Sequence, residues 1–450
     1  MSSTAPQGSV VGGWRPTGSA LPRLFTGGAL LLAGLLTGRF DVATLGVPLM
    51  LSVVVGLLRR PRRDIEVLLG PPRYETAPGR IAATLRIDGA AGAGTAGTLG
   101  PGAVTARLRV ATPGFREREV LVDAAAAREL HLSVQTVRTG RQHLFRVDHQ
   151  LRGAHVVLRA QIDWVGPVPL VVLPKPALLG PVPLPHRLQG LTGSHRSVRA
   201  GDGGEFRDLA EFAPGDRLRR IDWKATARRG TGHGTGTTTL FVRRTFATAD
   251  AHVMLVLDAR DEVGPDVAGW DFGRVLPHES TSLDLARRAG TSLARRYLDQ
   301  GDRVGLAEVG RPRWLRPAGG RRQLTQIVHH LALAEPDGEP AQKVAVPHLP
   351  SGVLVVVLST FLDDVAVDLA VGWRFTGHRV VAVDVLPRLD LDYLEPRQLT
   401  AHRLVAMERD ERLHALTAAG VEVVRWDQPP GGVRVEAALA TMARTRRAGR

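Results

Sequence analysis

The chain has 450 residues, of which 44% are hydrophobic and 23% charged, so it can form two or three folded domains and wholesale disorder is excluded. It contains no cysteine, which excludes disulfides, cysteine-ligated metals and thiol catalysis. The formal net charge is +15, a value typical of nucleic-acid binding proteins. We expect no nucleic-acid binding, because much of the excess lies in two terminal arginine clusters, within 59–63 and 444–450, and because aromatic residues make up only 5%.

An apolar segment at 24–58 follows a predicted disordered tail at 1–23, and it carries only two charges, Arg39 and Asp41. One helix of this length would extend about 52 Å, whereas the hydrocarbon core of a bilayer is about 30 Å thick. We therefore predict a transmembrane helical hairpin with its turn at 38–41. A pair of buried helices is the alternative, while a second apolar run argues against a cleaved signal peptide. Arginines flank the hairpin on both sides, so the positive-inside rule predicts a cell-membrane protein with both ends, and the bulk of the chain, in the cytoplasm.

Residues 59–185 change to a period of two, in which apolar and polar residues alternate over short runs separated by glycine and proline. The clearest runs are Val104–Val110, Glu119–Val122, Leu130–Val137, His143–Val147 and Val156–Ile162. This pattern predicts a small β-sandwich of immunoglobulin-like or fibronectin-like type. The segment has no cluster of titratable residues, so we interpret it as a structural domain next to the membrane.

Residues 249–430 alternate apolar strands with helical segments, and 431–450 is predicted to be a last helix with a basic tail. The runs His252–Leu257 and Val353–Leu358 are apolar apart from His252, as strands covered on both faces are. The fold class is therefore α/β plus β, with a C-terminal doubly wound parallel sheet. Ligands bind such sheets beyond the carboxyl ends of the strands, which directs attention to Asp258 and to 359–364.

The segment 186–248 between these domains carries interleaved charges. Between Arg196 and Arg228 there are eight basic and six acidic residues, a balance that argues against a phosphate-binding surface. Arginine and carboxylate residues mixed in this way predict an internal ion-pair network. Our preferred interpretation is a structural lock, by which we mean ion pairs that hold the sheet to the adjoining domain. A binding or catalytic site is the alternative. The residues in question are Glu205, Phe206, Asp216, Arg219, Asp222, Trp223 and Arg228.

This segment resembles the signature of a known family. Gly204-Glu205-Phe206, then Gly215-Asp216 followed by Arg219-Arg220-Ile221-Asp222-Trp223, then Ala227-Arg228, is similar to the motif of the bacterial domain of unknown function 58 family. The resemblance implies a membrane hairpin, a β-rich segment, this signature and a von Willebrand factor A-like domain. It also implies a partner among the MoxR-type AAA+ ATPases. One departure is Ala210, where the family usually has an arginine.

The same resemblance implies a magnesium-dependent adhesion site, which usually has the sequence Asp-x-Ser-x-Ser after the first strand. Here the sequence is Asp258-Ala259-Arg260-Asp261-Glu262, so an arginine and a glutamate replace the two serines. The candidate ligands are Asp258, Thr360 and Asp363. A positive charge at Arg260 is unfavourable for a cation, so we expect a degenerate site with no cofactor, in which Arg260 pairs with Asp363 or Asp364; bound magnesium is the alternative.

We therefore expect a non-enzymatic, membrane-anchored cytoplasmic protein-interaction or assembly factor that works with a MoxR-type ATPase. The alternative is a metal-dependent hydrolase or adhesion-type binding domain that uses Asp258 and Asp363. The sequence leaves the oligomeric state open.

Overall fold

A computed structural model of the chain describes residues 6–60, 64–75, 79–88, 104–124, 126–188, 193–229, 239–273, 275–311, 314–336, 349–427 and 434–448. Residues 1–5 and 449–450 of the predicted terminal tails lie outside the described residues. The chain divides into two compact units, Met1–Val172 and Leu173–Arg450.

The first unit contains two apolar helices, α1 (Ala20–Thr37) and α2 (Phe40–Leu58), each long and apolar enough to cross a membrane. Small residues let the two helices approach closely. A Cβ atom added at Gly34 would lie 2.5 Å from the Ala43 nitrogen, and one added at Gly46 would lie 2.5 Å from the Gly27 oxygen. Gly38, in the left-handed region at φ 67°, ends α1 and allows the tight turn. The pair is compatible with membrane anchoring.

The predicted disordered tail differs from the structure. Residues Gln7–Val11 form a strand that pairs antiparallel with Ile65–Leu69, and α1 begins at Ala20, four residues earlier than the apolar run suggests. The alternation in QGSVV buries Val11 and leaves Val10 exposed, so this stretch has the pattern of a strand with one buried face. The alternation covers only five residues and lies between glycine and proline residues, which are more typical of loops.

The β-rich part of the first unit has two larger antiparallel sheets and one two-stranded ribbon. The strands are β1 (Gln7–Val11), β2 (Arg15–Pro16), β3 (Ile65–Leu69), β4 (Arg73–Tyr74), β5 (Arg80–Ile87), β6 (Val104–Ala111), β7 (Arg118–Asp123), β8 (Arg128–Gln135), β9 (Gly140–Leu144), β10 (Arg146–Gly153), β11 (Leu158–Arg159), β12 (Asp163–Val165) and β13 (Val168–Val172). One sheet has the order β1-β3-β5-β4, with β8 also pairing with β5. The other has the order β2-β11-β10-β6-β7, with β12 also pairing with β10, and the ribbon joins β13 and β9.

Inward-facing residues of both larger sheets form one hydrophobic core, to which Leu69, Leu85, Leu108 and Leu151 contribute. The predicted strand at 156–162 is wrong over most of its length. A 3-10 turn covers Ala154–Val156, where His155 and Val156 have positive φ angles of 56°, and such angles interrupt extended backbone.

The second unit begins at Leu173, thirteen residues before the boundary predicted at 185/186. Residues just after 172 pack into the C-terminal core, because Val182 is buried there and the Pro183 carbonyl accepts a 2.6 Å hydrogen bond from the Tyr297 hydroxyl. Arg379 donates to the Leu184 carbonyl at 2.7 Å. These contacts, rather than the change in hydropathy pattern, set the boundary.

The second unit consists of a long hairpin and a six-stranded sheet with helices. Its strands are β14 (His195–Glu211), β15 (Phe241–Ala249), β16 (His252–Leu257), β17 (Arg303–Glu308), β18 (Leu315–Ala318), β19 (Leu354–Ser359), β20 (Arg379–Asp384) and β21 (Glu422–Arg425). Its helices are α3 (Trp223–Arg229), α4 (Ser282–Asp299), α5 (Arg321–Leu333), α6 (Val365–Phe375), α7 (Pro396–Ala418) and α8 (Val435–Ala448). The hairpin β14–β15 contains register shifts and carries the first part of the charged signature.

The six-stranded sheet has the order β18-β17-β16-β19-β20-β21, and only its edge strand β18 is antiparallel to its neighbour. Alternate residues of the central strands point to opposite faces, so Leu255 joins a core with α4 and α5, whereas Met254 and Val256 join a core with α6. The predicted apolar runs correspond closely to β16 and β19. These two strands are neighbours, with Leu257 opposite Leu358, so the residues that follow them meet at one edge.

Candidate functional site

The carboxyl edge of this sheet carries a buried arginine held by two carboxylates. Arg260 donates from Nε to Asp258 Oδ1 at 2.9 Å and from Nη2 to Asp258 Oδ2 at 2.9 Å. It also donates from Nη1 to Asp363 Oδ2 at 2.6 Å and from Nη2 to Asp363 Oδ1 at 2.9 Å. The side chains of Arg260 and Asp258 are each 7% exposed, whereas that of Asp363 is 40% exposed. The guanidinium thus bridges the loops that follow the two central strands, with a fork geometry that matches two carboxylates.

The position of this arrangement follows from the chain connectivity. Strand order reverses between β16 and β19, and a crevice forms at such a reversal beyond the carboxyl ends. Asp258 directly follows β16, and Asp363 lies in the loop after β19. Because β16 and β19 run parallel and in register, the loops that follow them are brought together across the crevice.

Neighbouring groups fix the cluster in place. The Ser359 hydroxyl donates to Asp258 Oδ2 at 2.7 Å, and the backbone N–H of Phe361 donates to the Ser359 oxygen at 3.1 Å. Phe361 is fully buried with φ at 55°, an uncommon conformation for a bulky residue that burial of its ring can maintain. Burial lowers the pKa of Arg260, but hydrogen bonds and charges from Asp363 and Asp258 outweigh it and raise the pKa above its usual range.

Thr360, the third candidate ligand, contacts a second buried ion pair, which joins Arg409 and Asp384. Its carbonyl accepts a 2.8 Å hydrogen bond from Arg409 Nε, and Arg409 also lies 2.5 Å from Asp384 Oδ1. Arg409 and Asp384 are 8% and 3% exposed. Sequence reasoning missed both residues. The position of Asp384 at the end of an apolar strand could have indicated it, but Arg409 lies in a polar helix with no such signal.

Helix α7 extends beyond this edge of the sheet. Arg412 donates to the Leu362 carbonyl at 3.0 Å and to Asp364 at 2.6 Å, which fixes the level at which α7 passes the loop after β19. The first thirteen residues of the helix, 396–408, extend over about 20 Å and none of them is buried; we call them the projecting part of α7. Only Arg409 and Leu416 of the helix are buried. Leu404 and Met407 in the projecting part are 59% and 63% exposed.

The donor set does not fit a magnesium ion. Magnesium needs oxygen ligands in a near-octahedral arrangement, but oxygens of both Asp258 and Asp363 accept hydrogen bonds from Arg260. Glu262, which replaces the second serine, accepts a 2.6 Å hydrogen bond from the Thr281 hydroxyl instead. Among the residues that the structure describes, no group of three or more histidine or acidic residues is arranged to hold a metal. The arrangement can present to a partner a fixed polar surface in which one arginine offsets one of two carboxylate charges.

The structure does not bring the signature residues together as one ion-pair network. Asp216 accepts a 2.9 Å hydrogen bond from the Ala213 N–H and lies 3.7 Å from Arg244, while Glu205 lies 3.2 Å from Arg196 in an exposed pair. Asp222 accepts a 2.9 Å hydrogen bond from the Ala225 N–H and so caps α3.

Other signature residues point into solvent. Trp223 is 68% exposed, and Phe206 is 47% exposed with the Arg243 guanidinium 5.3 Å from its ring centre. Arg219 and Arg228 are exposed, and within the described part of the chain neither is in an ion pair. The predicted buried lock therefore differs from the structure, because these cations and rings lie on the surface.

These features define a mixed α/β protein with two N-terminal apolar helices and a C-terminal parallel sheet whose carboxyl edge holds an arginine–carboxylate cluster. Residues 208–411 match the model of a family described as "Protein of unknown function DUF58". This match confirms the predicted resemblance to the DUF58 family over that part of the chain. No curated protein and no solved structure gave a match.

Proposed function

We propose that this protein is a membrane-anchored cytoplasmic interaction factor whose C-terminal domain is von Willebrand factor A-like and works with a MoxR-type AAA+ ATPase. The partner class comes from the family resemblance. Numbered from its own first strand, the sheet has the order 3-2-1-4-5-6 with an antiparallel third strand, and this order supports the domain assignment.

The observation that carries the proposal is the position of Arg260 at the carboxyl edge. Its guanidinium occupies the crevice where such a domain would hold an ion, and it engages both candidate carboxylates. Hydrolysis through these two residues would require a carboxylate free to bind a metal or to accept a proton. A binding role requires only that the edge keep its shape, which the cluster provides.

The surface around this edge is suited to a protein partner. Tyr393, in the loop before α7, is 91% exposed, and Leu404 and Met407 on the projecting part of α7 are also exposed. Aromatic, leucine and methionine side chains that stand in solvent beside a rigid polar cluster have the composition of an interface core with a polar rim. A projecting helix also offers a face that a groove in a partner can enclose.

The proposed topology has both ends of the α1–α2 hairpin in the cytoplasm. Arg15 precedes α1, Arg23 lies in its first turn, and Arg59 and Arg60 follow α2, whereas the exposed Arg39–Asp41 ion pair lies where the turn meets the start of α2. The positive-inside rule then assigns the second unit to the cytoplasm, where an ATPase is available.

The test is affinity capture of the full-length protein from native membranes, followed by mass spectrometry and by binding to the purified MoxR-type ATPase of the same organism. We expect the ATPase to be enriched and the double variant Tyr393→Ala with Met407→Ala to lower its binding at least tenfold. Phe375→Ala is the matched control, because Phe375 is 81% exposed at the end of α6 near the start of β20, at the opposite edge of the sheet. Failure of the purified ATPase to bind the wild-type protein would refute the proposal.

A further inference from the structure

The signature segment exposes large apolar side chains next to cations. Leu218, in a 3-10 turn at Leu218–Arg220, is 70% exposed, and Trp223 at the start of α3 is 68% exposed. Isolated apolar residues on a surface need no explanation, but a tryptophan and a leucine that lie close in sequence and are both exposed to this extent indicate a contact surface.

The helix α3 separates its buried and exposed residues cleanly. Thr226 is 5% exposed and its hydroxyl accepts a 3.0 Å hydrogen bond from the Phe241 N–H, so this side packs against β15. Trp223, Lys224, Ala227 and Arg228 are exposed, and at 100° per residue they cover a continuous arc of about 140°. The exposed arc therefore combines a tryptophan with two cations.

The charge of this surface is positive. The two carboxylates closest in sequence, Asp216 and Asp222, accept hydrogen bonds from backbone N–H groups at 2.9 Å each. Arg219, Lys224 and Arg228 are exposed, and none of them is in an ion pair with another described residue. We call Leu218, Arg219, Trp223, Lys224 and Arg228 the basic–aromatic patch.

We propose that the basic–aromatic patch rests on the anionic surface of the bilayer that anchors the chain. Tryptophan prefers the interface between lipid headgroups and acyl chains, and lysine and arginine next to it bind anionic lipids. Because α1 and α2 are candidate membrane spans, the tether raises the local concentration of lipid. This contact goes beyond the proposed partnership with an ATPase and does not depend on it.

The absence of cysteine makes the contact measurable in the full-length chain, because Leu218→Cys introduces a single thiol for an environment-sensitive fluorophore. The labelled protein is reconstituted in nanodiscs of phosphatidylcholine alone or with about one-third phosphatidylglycerol. We expect blue-shifted emission, and quenching by nitroxide-labelled lipid, in the anionic discs. A second labelling site, Phe375→Cys at the end of α6, should show neither effect.

Charge removal separates a specific contact from a general attraction. Each cation near an anionic surface strengthens binding about fivefold, so the triple variant Arg219→Gln, Lys224→Gln and Arg228→Gln should lower the bound-to-free ratio about a hundredfold. The matched control, Arg321→Gln, Arg322→Gln and Arg397→Gln, removes the same charge from exposed positions elsewhere and should leave the signal unchanged. Circular dichroism of every variant verifies folding.

Three outcomes would overturn the proposal. Equal emission in both kinds of disc would show that anionic lipid is not recognised. An equal loss in the control triple variant would show that total charge, not the patch, is responsible. A blue shift that appears only after addition of the purified ATPase would assign the patch to a protein interface instead.

Discussion

Replacement of Arg260 by serine removes the cation from between two carboxylates and should destabilise the second unit. The Oδ2 atom of Asp258 and the Oδ1 atom of Asp363 each lie 2.9 Å from the same guanidinium nitrogen. These oxygens are therefore at most about 6 Å apart, and two negative charges at that distance repel by about 3 kcal/mol at an effective dielectric constant of 20. Loss of one partner from a buried ion pair costs about 3–5 kcal/mol, and because Asp363 is 40% exposed we expect a loss of about 3 kcal/mol.

The assay is thermal unfolding of the full-length protein in detergent, monitored by a probe in the second unit. A loss of about 3 kcal/mol corresponds to a fall in Tm of about 6–12 °C for a domain of this size. The two carboxylates that remain, with a serine beside them, should then bind a divalent cation. Magnesium at about ten times its Kd would restore about 1.4 kcal/mol. Wild-type protein should show no change in Tm with magnesium.

Two variants serve as controls for this experiment. Arg260→Lys keeps the charge but loses the planar fork, so its Tm should lie between those of the wild type and the serine variant. Arg412→Ser breaks an ion pair at the same edge with Asp364, which is 73% exposed, and should cost no more than about 1 kcal/mol. An unchanged Tm for Arg260→Ser, or a magnesium-dependent Tm in the wild type, would refute our account of the site.

Three further predictions concern the first unit. Gly34→Leu should disrupt the α1–α2 hairpin and make it susceptible to protease, because an added Cβ would lie 2.5 Å from the Ala43 nitrogen; Gly28→Leu, where the added Cβ meets no atom within 4 Å, is the control. A reporter inserted between residues 39 and 41 should face outward and one after residue 63 should be cytoplasmic; the reverse pattern would contradict the topology. Burial lowers the pKa of His149, although Asp163 and Asp148 act to raise it, and both ring nitrogens lack a hydrogen-bond partner among the described residues. As pH falls through about 6.5, the unfolded chain therefore binds more protons at this histidine than the folded chain does, which destabilises the fold. His149→Met removes this penalty, so it should stabilise the unit more at pH 5 than at pH 8. An equal gain in stability at both pH values would contradict this.

The central sheet was predictable because strands buried on both faces have a continuous apolar sequence. The runs that became β16 and β19 needed no other signal, and the rule that parallel strands end at one edge is enough to bring Asp258 close to Asp363. The pairing of Arg260 with Asp363 follows from the same argument, since a cation next to a buried carboxylate requires partners.

Helix α7 shows where pattern-based prediction fails. Its sequence predicts only a shorter helix at 408–419, yet the helix begins at Pro396. The projecting part packs against little, so it has no apolar stripe with a period of 3.6 residues. Arg409 contacts Thr360 from within this polar sequence, and such a contact depends on tertiary packing that composition does not encode.

The ion-pair network predicted for the signature segment differs from the structure for another reason. Interleaved charges predict ion pairs but do not specify partners or which face is covered. In the segment after β14, backbone N–H groups donate hydrogen bonds to the carboxylates of Asp216 and Asp222. Arg219 and Arg228, two cations of the predicted network, lie on the surface.

The guanidinium at the carboxyl edge also determines how this surface can respond to the cell. A bound metal ion exchanges with its surroundings, so a domain that depends on one loses its function when the ion is chelated or scarce. The charge of Arg260 is attached covalently and remains protonated at every pH at which the chain is folded. The positive charge at this edge therefore cannot dissociate from the protein, and chelation cannot remove it. If a partner binds at this edge in the absence of nucleotide, its affinity should be the same in EDTA as in millimolar magnesium, and any dependence of the complex on metal must come from the partner.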